Sequence, residues 1–199
     1  MRIAVLGWGS LLWDRGTLNI LPKESEGDTG FSSTCDWLEG GPIFPLEFSR
    51  ISKTRNGALT LVIDETNGIE LPVWFATSKH TDLNRAIRNL REREGTGARM
   101  IGYARHDGRF RSCGMSDELL EKTCLWLQGK AFYAVIWTGL ASNFKDKTSK
   151  DFGVNTAIDY LESLDGEGEK KAREYIAKAP ESIQTPIRMN ARRLLNWQV

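Results

Sequence analysis

The chain has 199 residues, of which 40% are hydrophobic and 27% are charged, and 27 basic residues balance 26 acidic ones to a net charge of +1. This composition is typical of a globular protein with one sizeable core, so we expect a single domain over residues 1–199. The small net charge argues against a nucleic-acid or membrane partner and favours a small-molecule one. No stretch reaches the about 18 apolar residues of a spanning helix, and we expect a cytoplasmic protein.

A strand and a glycine loop are predicted at the start of the sequence. Residues 3–6, "IAVL", form an apolar run that ends at Gly7, which predicts a short buried strand. Gly7 and Gly9 permit a positive φ or a close backbone approach, so the peptide N–H groups from Trp8 to Leu11 could point at an anionic ligand. Residues 14–42 then mix charges, Gly and Ser, which indicates a long excursion that either covers a site or is simply loop.

The next block is predicted to be rich in strands. Val, Ile, Phe and Thr are frequent, and "RNG" and "TNG" turn signals separate three strand-like segments at 43–52, 58–65 and 71–77. Segments joined in this way are expected to form a meander.

From Thr81 the hydrophobic period changes to that of a helix. The apolar residues fall at i, i+3, i+4 and i+7, and Thr81 or Asp82 is available as N-cap; these apolar residues are Leu83, Ala86, Ile87 and Leu90. Gly95 and Gly97 are expected to end the helix. A strand is predicted at 99–105, and a second helix at 116–128 with Ser116 as its cap.

The remainder is predicted to be one strand followed by helices. "AFYAVIW" at 131–137 reads as a buried strand, and helical patterns follow at 155–164, 169–179 and 188–197. The order favours an α+β fold with a mixed or mostly antiparallel, barrel-like sheet flanked by helices, and residues from about 150 to 199 form a helical C-terminal extension.

Metal and nucleophile chemistry find little support in the sequence. Only His80 and His106 are present, and neither lies in a metal-ligand motif, so no metal site is expected. The three cysteines, Cys35, Cys113 and Cys124, have no paired spacing and are expected to be reduced, half-buried thiols. "GWGSL" is not a nucleophile elbow, and it lacks the third glycine of a dinucleotide-binding loop.

Two carboxylates in "LREREGTG" carry more information. Glu92 and Glu94 lie in the last turn of the predicted helix, where the negative end of the helix dipole tends to raise a carboxyl pKa, as a general base near neutral pH requires. The alternative is that both are solvated and paired with neighbouring arginines. Glu94 follows Leu90 by four residues and is therefore nearer the buried stripe, which makes it the better candidate.

These segments together resemble the γ-glutamylcyclotransferase-like superfamily. "VLGWGSLLW" is similar to the "FGYGSL(I/M)W" signature of its ChaC-type branch, "EFSRIS" to "YSRRF…S", and "LREREGTG" to "L-D-x-x-E-G" and "R-E-x-G-G-Y". The likeness covers the first half of the chain in order and spacing. Trp8 stands where the family has a tyrosine, and Ala98 where the ChaC-type motif has one.

The resemblance implies a fold, an activity and site residues. The family releases an amine from a γ-glutamyl compound while the glutamyl part closes to 5-oxoproline, without a cofactor. By this likeness Glu94 is the catalytic acid and base, and the backbone N–H groups of the loop hold the substrate α-carboxylate or the developing oxyanion; the loop residues are Gly7, Trp8, Gly9, Ser10 and Leu11. Ser10 either donates a hydroxyl to the ligand or caps the turn.

Several alternatives stay open at the level of the sequence. Arg50 at a strand end either binds a substrate carboxylate or is a solvated surface residue. Trp74, Trp126 and Trp137 either belong to the core or form an aromatic pocket wall. The protein is a γ-glutamyl cyclotransferase, another amide-bond enzyme such as a hydrolase or amidotransferase acting on a γ-glutamyl conjugate, or a non-catalytic ligand-binding module. Neither the oligomeric state nor the particular substrate can be read from the sequence.

Overall fold

The computed structural model describes residues 1–22 and 36–199. Cys35 and the middle of the predicted excursion therefore lie outside the described residues. Contacts between residues divide the chain into two compact units. The first unit comprises Met1–Ile43 and Pro72–Gly139, and the second comprises Phe44–Leu71 and Leu140–Val199. This division into two compact units does not test the prediction from composition that residues 1–199 form a single domain, which stays a prediction.

Five strands come before the first α-helix in the described chain, strands and helices then interleave as far as residue 138, and α-helices alone follow. The strands are β1 (Ile3–Gly7), β2 (Ile43–Ile51), β3 (Leu59–Ile63), β4 (Ile69–Pro72), β5 (Trp74–Thr77), β6 (Ile101–Arg105), β7 (Phe110–Arg111) and β8 (Ala134–Thr138). The helices are α1 (Leu83–Glu94), α2 (Asp117–Gln128), α3 (Phe144–Thr148), α4 (Val154–Glu162), α5 (Gly166–Lys178) and α6 (Pro186–Leu194).

The first unit is built on a five-stranded sheet in the order β5-β1-β8-β6-β7. β1 and β8 run parallel to each other at its centre, whereas β5, β6 and β7 pair antiparallel with their neighbours. Every residue of β1 and of β8 is buried, which is the pattern expected of central strands covered on both faces. The continuous apolar runs in the sequence therefore mark the middle of the sheet.

Helix α1 covers one face of this sheet. Its apolar stripe packs with alternate residues of the central strands in one buried cluster that includes Val5, Ile136, Ala86, Ile87 and Leu90. Because side chains alternate along a strand, Gly7 and Thr138, two residues beyond Val5 and Ile136, lie on this same face. We call it the α1 face.

The second unit contains a three-stranded sheet in the order β3-β2-β4. β2 and β3 pair antiparallel, with a bulge between Phe48 and Arg50. Helix α5 packs on β3, and α4 contacts both α5 and α6. The helical segments predicted for the last third of the chain are confirmed as α4, α5 and α6, while the short helix α3 is absent from the prediction.

The structure confirms an α+β fold with mixed sheets and flanking helices, but the predicted barrel-like sheet is wrong. The two described sheets are open, since each has an order with two different end strands. In the larger sheet the edge strand β7 has only two residues, and the other edge carries isolated bridges from Leu38 to Phe75 of β5 and from Ile20 to Ser78 just after it. The predicted meander is wrong as well, since β4 follows β3 in sequence but lies on the other side of β2.

The single strand predicted at 71–77 is two strands in different sheets. Val73 interrupts it: its N–H donates to the carbonyl of Pro42, and its carbonyl accepts from the N–H of Gly41, both at 3.0 Å. The chain therefore leaves the sheet of β4 at Pro72 and enters the sheet of β5 at Trp74.

The two helices predicted in the first unit are confirmed together with their caps. Asp82 caps α1 by accepting from the N–H of Arg85, and Gly95 ends the helix with φ at +59°. Ser116 caps α2 by accepting from the N–H of Leu119. Among the residues that the structure describes, no helix combines the length and apolar character needed to cross a membrane.

Candidate functional site

The candidate site lies at the end of the five-stranded sheet where β1 and β8 finish. Because these strands are parallel, Gly7 and Thr138 end side by side when the observed register is continued. β6 runs antiparallel to β8 and begins there, with Ile101 opposite Thr138. The chain from the end of α1 to β6 therefore reaches the same edge.

Gly7 lies directly against an indole ring. A Cβ atom added at this position would lie 2.4 Å from Cζ3 of Trp37, so the ring packs on the backbone. Trp37 is itself buried in the cluster under α1. Part of the close backbone approach expected at Gly7 is thus made by Trp37, and the substrate-binding role of Gly7 stays a prediction.

The loop itself turns at Gly9, whose φ is +61°. This left-handed conformation starts a 3₁₀ turn, Gly9–Leu12, whose first peptide N–H groups have no partner inside the turn. Leu11 is buried in the cluster under α1 and anchors the turn. Trp8, in extended conformation, is 8% exposed and therefore belongs to the buried part of the loop.

The backbone of Ser10 closes the turn. Its carbonyl accepts from the N–H groups of Trp13 and Asp14, the latter at 2.8 Å. The Ser10 residue is half-buried. Both roles open from the sequence for its hydroxyl, ligand binding and turn capping, stay predictions.

The two glutamates at the end of α1 have different environments. The side chain of Glu92 is 53% exposed, whereas that of Glu94 is 17% exposed and lies 3.6 Å from Nη1 of Arg93 at its Oε1 atom. Glu94 is the last residue of α1, immediately before the left-handed Gly95. The helix therefore presents one largely buried carboxylate at the edge where β6 begins.

Side chains of α1 hold the segment that follows the glycine loop. Arg93 donates from Nε to the carbonyl of Asp14 at 3.1 Å, and its Nη2 also donates to that oxygen. One turn earlier, the buried Asn89 donates to the carbonyl of Thr17 and accepts from the N–H of Asn19. These bonds tie Glu94 and the loop into one framework within the first unit.

Two polar side chains on the α1 face are absent from the sequence prediction. Thr138 is 7% exposed, and its buried Oγ1 has no hydrogen-bond partner within the described part of the chain. Arg111 lies opposite Tyr103 on β6, and its guanidinium lies over the Tyr103 ring. Thr138 has a weak signal in the sequence, since it is the first polar residue after the apolar run of β8.

Arg50 belongs to the second unit rather than to the unit of Glu94. It lies on β2, and its Nη1 donates to the carbonyl of Ala141 at 2.6 Å. Burial lowers the pKa of its guanidinium. This contact gives Arg50 a structural partner, and its role toward a substrate stays a prediction.

The three tryptophans proposed as a pocket wall do not share a face of the sheet. Trp74 packs with the cluster under α1, whereas Trp137 follows Ile136 and therefore points to the opposite face. Trp126 is stacked with Phe132 and meets Phe75 edge to face. Phe75 alternates with Trp74 along β5, so Trp126 and Trp137 lie on the same side of the sheet and the sheet separates both from Trp74.

The described cysteines and histidines form no metal site. Cys113 and Cys124 are free, half-buried thiols whose pKa values are raised by burial. Within residues 1–22 and 36–199, no group of three His, Cys, Asp or Glu side chains is arranged to hold a metal ion.

The second unit contains a buried carboxylate of a different kind. Glu47 is 1% exposed and accepts hydrogen bonds from the N–H groups of Phe48, at 2.7 Å, and Ile187, at 3.3 Å. Burial raises the pKa of Glu47 to about 7, although hydrogen bonds from Thr185, Phe48 and Ile187 act in the opposite direction. Because Thr185 is the N-cap of α6, Glu47 joins β2 to the start of that helix.

Comparisons with known proteins leave the site to be interpreted from its own residues. The chain matches no protein-family model, no curated protein and no solved structure.

Proposed function

We propose that the protein is a γ-glutamyl cyclotransferase in which Glu94 is the catalytic acid and base. The observation that carries the proposal is the position of Glu94: its largely buried carboxylate ends α1, and the neighbouring Arg93 binds the chain just after the glycine loop. A carboxylate and a set of loop N–H groups are thus held in one framework. The likeness of both segments to the γ-glutamylcyclotransferase-like superfamily supports this assignment.

The reaction needs a base, an acid and a stabiliser of negative charge. Glu94 accepts a proton from the substrate's α-ammonium group, and the freed lone pair attacks the γ-carbonyl carbon. A carbon–nitrogen bond forms and the carbonyl oxygen becomes an oxyanion. When the oxyanion collapses, the bond to the leaving nitrogen breaks and that nitrogen takes the proton from Glu94. The ring nitrogen loses its second proton to the released amine, which leaves as an ammonium ion.

The glycine loop supplies the stabilising donors in this proposal. The 3₁₀ turn Gly9–Leu12 presents its first peptide N–H groups without internal partners, and preorganised donors of this kind stabilise a developing oxyanion. The rest of the rate enhancement comes from holding the substrate's amine against its own carbonyl, which makes the attack intramolecular. No step requires a cofactor.

The test is release of 5-oxoproline, measured by mass spectrometry, from glutathione, γ-glutamyl amino acids and γ-glutamyl amines. We expect Glu94→Gln to lower the rate at least about 100-fold, because general acid–base catalysis contributes on this order. Glu92→Gln is the matched control, since Glu92 lies in the same helical turn but is exposed. Its rate should stay within about twofold of the original protein.

The possible outcomes separate the proposal from its alternatives. Release of free glutamate in place of 5-oxoproline would show a hydrolase. Binding of γ-glutamyl compounds without turnover would show a binding module. Equal rates in the two variants, with circular dichroism unchanged, would remove Glu94 from the mechanism.

A further inference from the structure

Arg111 is a fixed cation on the α1 face. Its guanidinium carbon lies 5.2 Å from the centroid of the Tyr103 ring, and Nη1 donates to the carbonyl of Ala98 at 2.9 Å. Ala98 begins the turn between Glu94 and β6, so the guanidinium reaches toward the edge where the candidate site lies. Within the described parts of the chain, no carboxylate forms an ion pair with Arg111. Its charge is therefore held in place, and no described carboxylate neutralises it.

Thr138 supplies an independent observation at the same edge. Its buried Oγ1 lacks a hydrogen-bond partner among residues 1–22 and 36–199. Leaving a buried hydroxyl without a partner is costly, and an unpaired one in a native protein calls for an explanation such as a ligand. Thr138 on β8 lies directly opposite Ile101 on β6. Two residues further along β6, on the same face, Tyr103 lies opposite Arg111 of β7. Thr138 and Arg111 therefore share one face.

We propose that Arg111 and Thr138 form a subsite for the α-carboxylate of the γ-glutamyl substrate. This inference rests on the proposed function, because it names the group of that substrate which the subsite binds. A guanidinium presents several donors in a plane that match a carboxylate, and the threonine hydroxyl adds one donor. With the carboxylate bound here, the loop N–H groups remain for the oxyanion and Glu94 for the amine.

The experiment compares two ligands that differ only at the carboxylate. The probes are γ-L-glutamyl-p-nitroanilide and the same compound with its α-carboxylate converted to a carboxamide. Their binding is measured by calorimetry in a Glu94→Gln background, which prevents turnover. We expect the carboxylate ligand to bind at least about tenfold more tightly, because a hydrogen-bonded charge contributes more than a neutral group.

The variants should remove this preference. In Arg111→Gln the carboxylate ligand is expected to lose affinity about tenfold or more while the carboxamide is little affected. Thr138→Val should weaken the carboxylate ligand about fivefold to tenfold without lowering thermal stability, because the hydroxyl has no partner to lose. The matched controls are Arg109→Gln, an exposed residue of the same hairpin, and Thr123→Val, whose buried hydroxyl donates to the Leu119 carbonyl. Both controls should keep the ligand preference.

Failure of the subsite and failure of the proposed function give different results. If neither probe binds, if both bind equally, or if Arg111→Gln keeps the preference, the subsite is overturned. If the protein with Glu94 intact cleaves the anilide and Arg111→Gln leaves KM unchanged, the subsite fails while the cyclotransferase stands. If there is no turnover but the preference is present and lost in Arg111→Gln, the subsite stands and the cyclotransferase fails.

Discussion

The side chain of Asn89 donates from Nδ2 to the carbonyl oxygen of Thr17 at 2.8 Å. This bond joins the middle of α1 to the segment that follows the glycine loop. The amide of Asn89 is 7% exposed and also accepts from the N–H of Asn19 at 2.7 Å. A buried polar residue beside the apolar stripe of a helix thus holds a neighbouring backbone segment.

Replacing Asn89 with alanine should destabilise the protein by about 2 kcal/mol, because two backbone groups would lose their buried partner. Urea denaturation followed by circular dichroism measures the change. Asn84→Ala is the control, since Asn84 is an exposed asparagine of the same helix. Equal effects of the two substitutions would show that the bonds to Thr17 and Asn19 add nothing to stability.

Gly7→Ala should also destabilise the protein, by about 2 kcal/mol, because the added methyl group meets the Trp37 ring. Gly97→Ala is the control: Gly97 has a negative φ and nothing lies within 4 Å of its added Cβ. A double variant, Gly7→Ala with Trp37→Leu, should lose less stability than the sum of the two single changes. Strict additivity would argue that Trp37 is not the obstacle.

Arg93→Gln should lower kcat/KM for a γ-glutamyl substrate about tenfold, because the loop segment at Asp14 loses its link to α1. The effect is expected mainly in kcat, since the substrate's own contacts are retained. Arg91→Gln serves for comparison, as Arg91 is more exposed and pairs with Glu92 in the same helical turn. A change confined to KM would place Arg93 in contact with the substrate instead.

Glu47 predicts a pH dependence of stability. Burial raises the pKa of Glu47 from its ordinary value of 4.5 to about 7, so the folded state holds a proton that the unfolded state releases between these pH values. The free energy of unfolding should therefore fall as pH rises from about 4.5 to about 7, by up to about 3 kcal/mol. Urea denaturation at intervals across this range measures it.

Two glutamine variants in the second unit test whether Glu47 causes this pH dependence of stability. Glu47→Gln should flatten the change over this interval, because the amide does not titrate. Glu162→Gln, at an exposed position of α4, should leave the slope as it is. A slope that persists in Glu47→Gln would assign it to other groups.

Local patterns predict the helices of this protein well. The spacing of Ala86, Ile87 and Leu90 and the caps at Asp82 and Gly95 are short-range features, so the bounds of α1 follow from the sequence. The position of Glu94 at its end follows from them as well. Asn89 is a polar residue beside this stripe, and its position there is the one local feature that indicates a buried hydrogen-bonding role.

Long-range pairing accounts for what the sequence does not predict. The break at Val73 depends on hydrogen bonds to Gly41 and Pro42, which lie some thirty residues earlier in the chain. The parallel pairing of β1 and β8 joins strands separated by most of the first unit. Thr138 and Arg111 become neighbours of the candidate site only through that pairing, so no local motif contains them.

Two isolated bridges attach Ile20 and Leu38 to the outer edge of β5. Ile20 pairs with Ser78, just after the strand, and Leu38 pairs with Phe75, so the two points lie three residues apart, about 10 Å. The bridge at Leu38 holds the chain directly beside Trp37, whose indole ring packs on Gly7 at the end of β1. The shape of the glycine loop is therefore linked to the opposite edge of β5, and a change at Phe75 or Leu38 would be felt at Gly7.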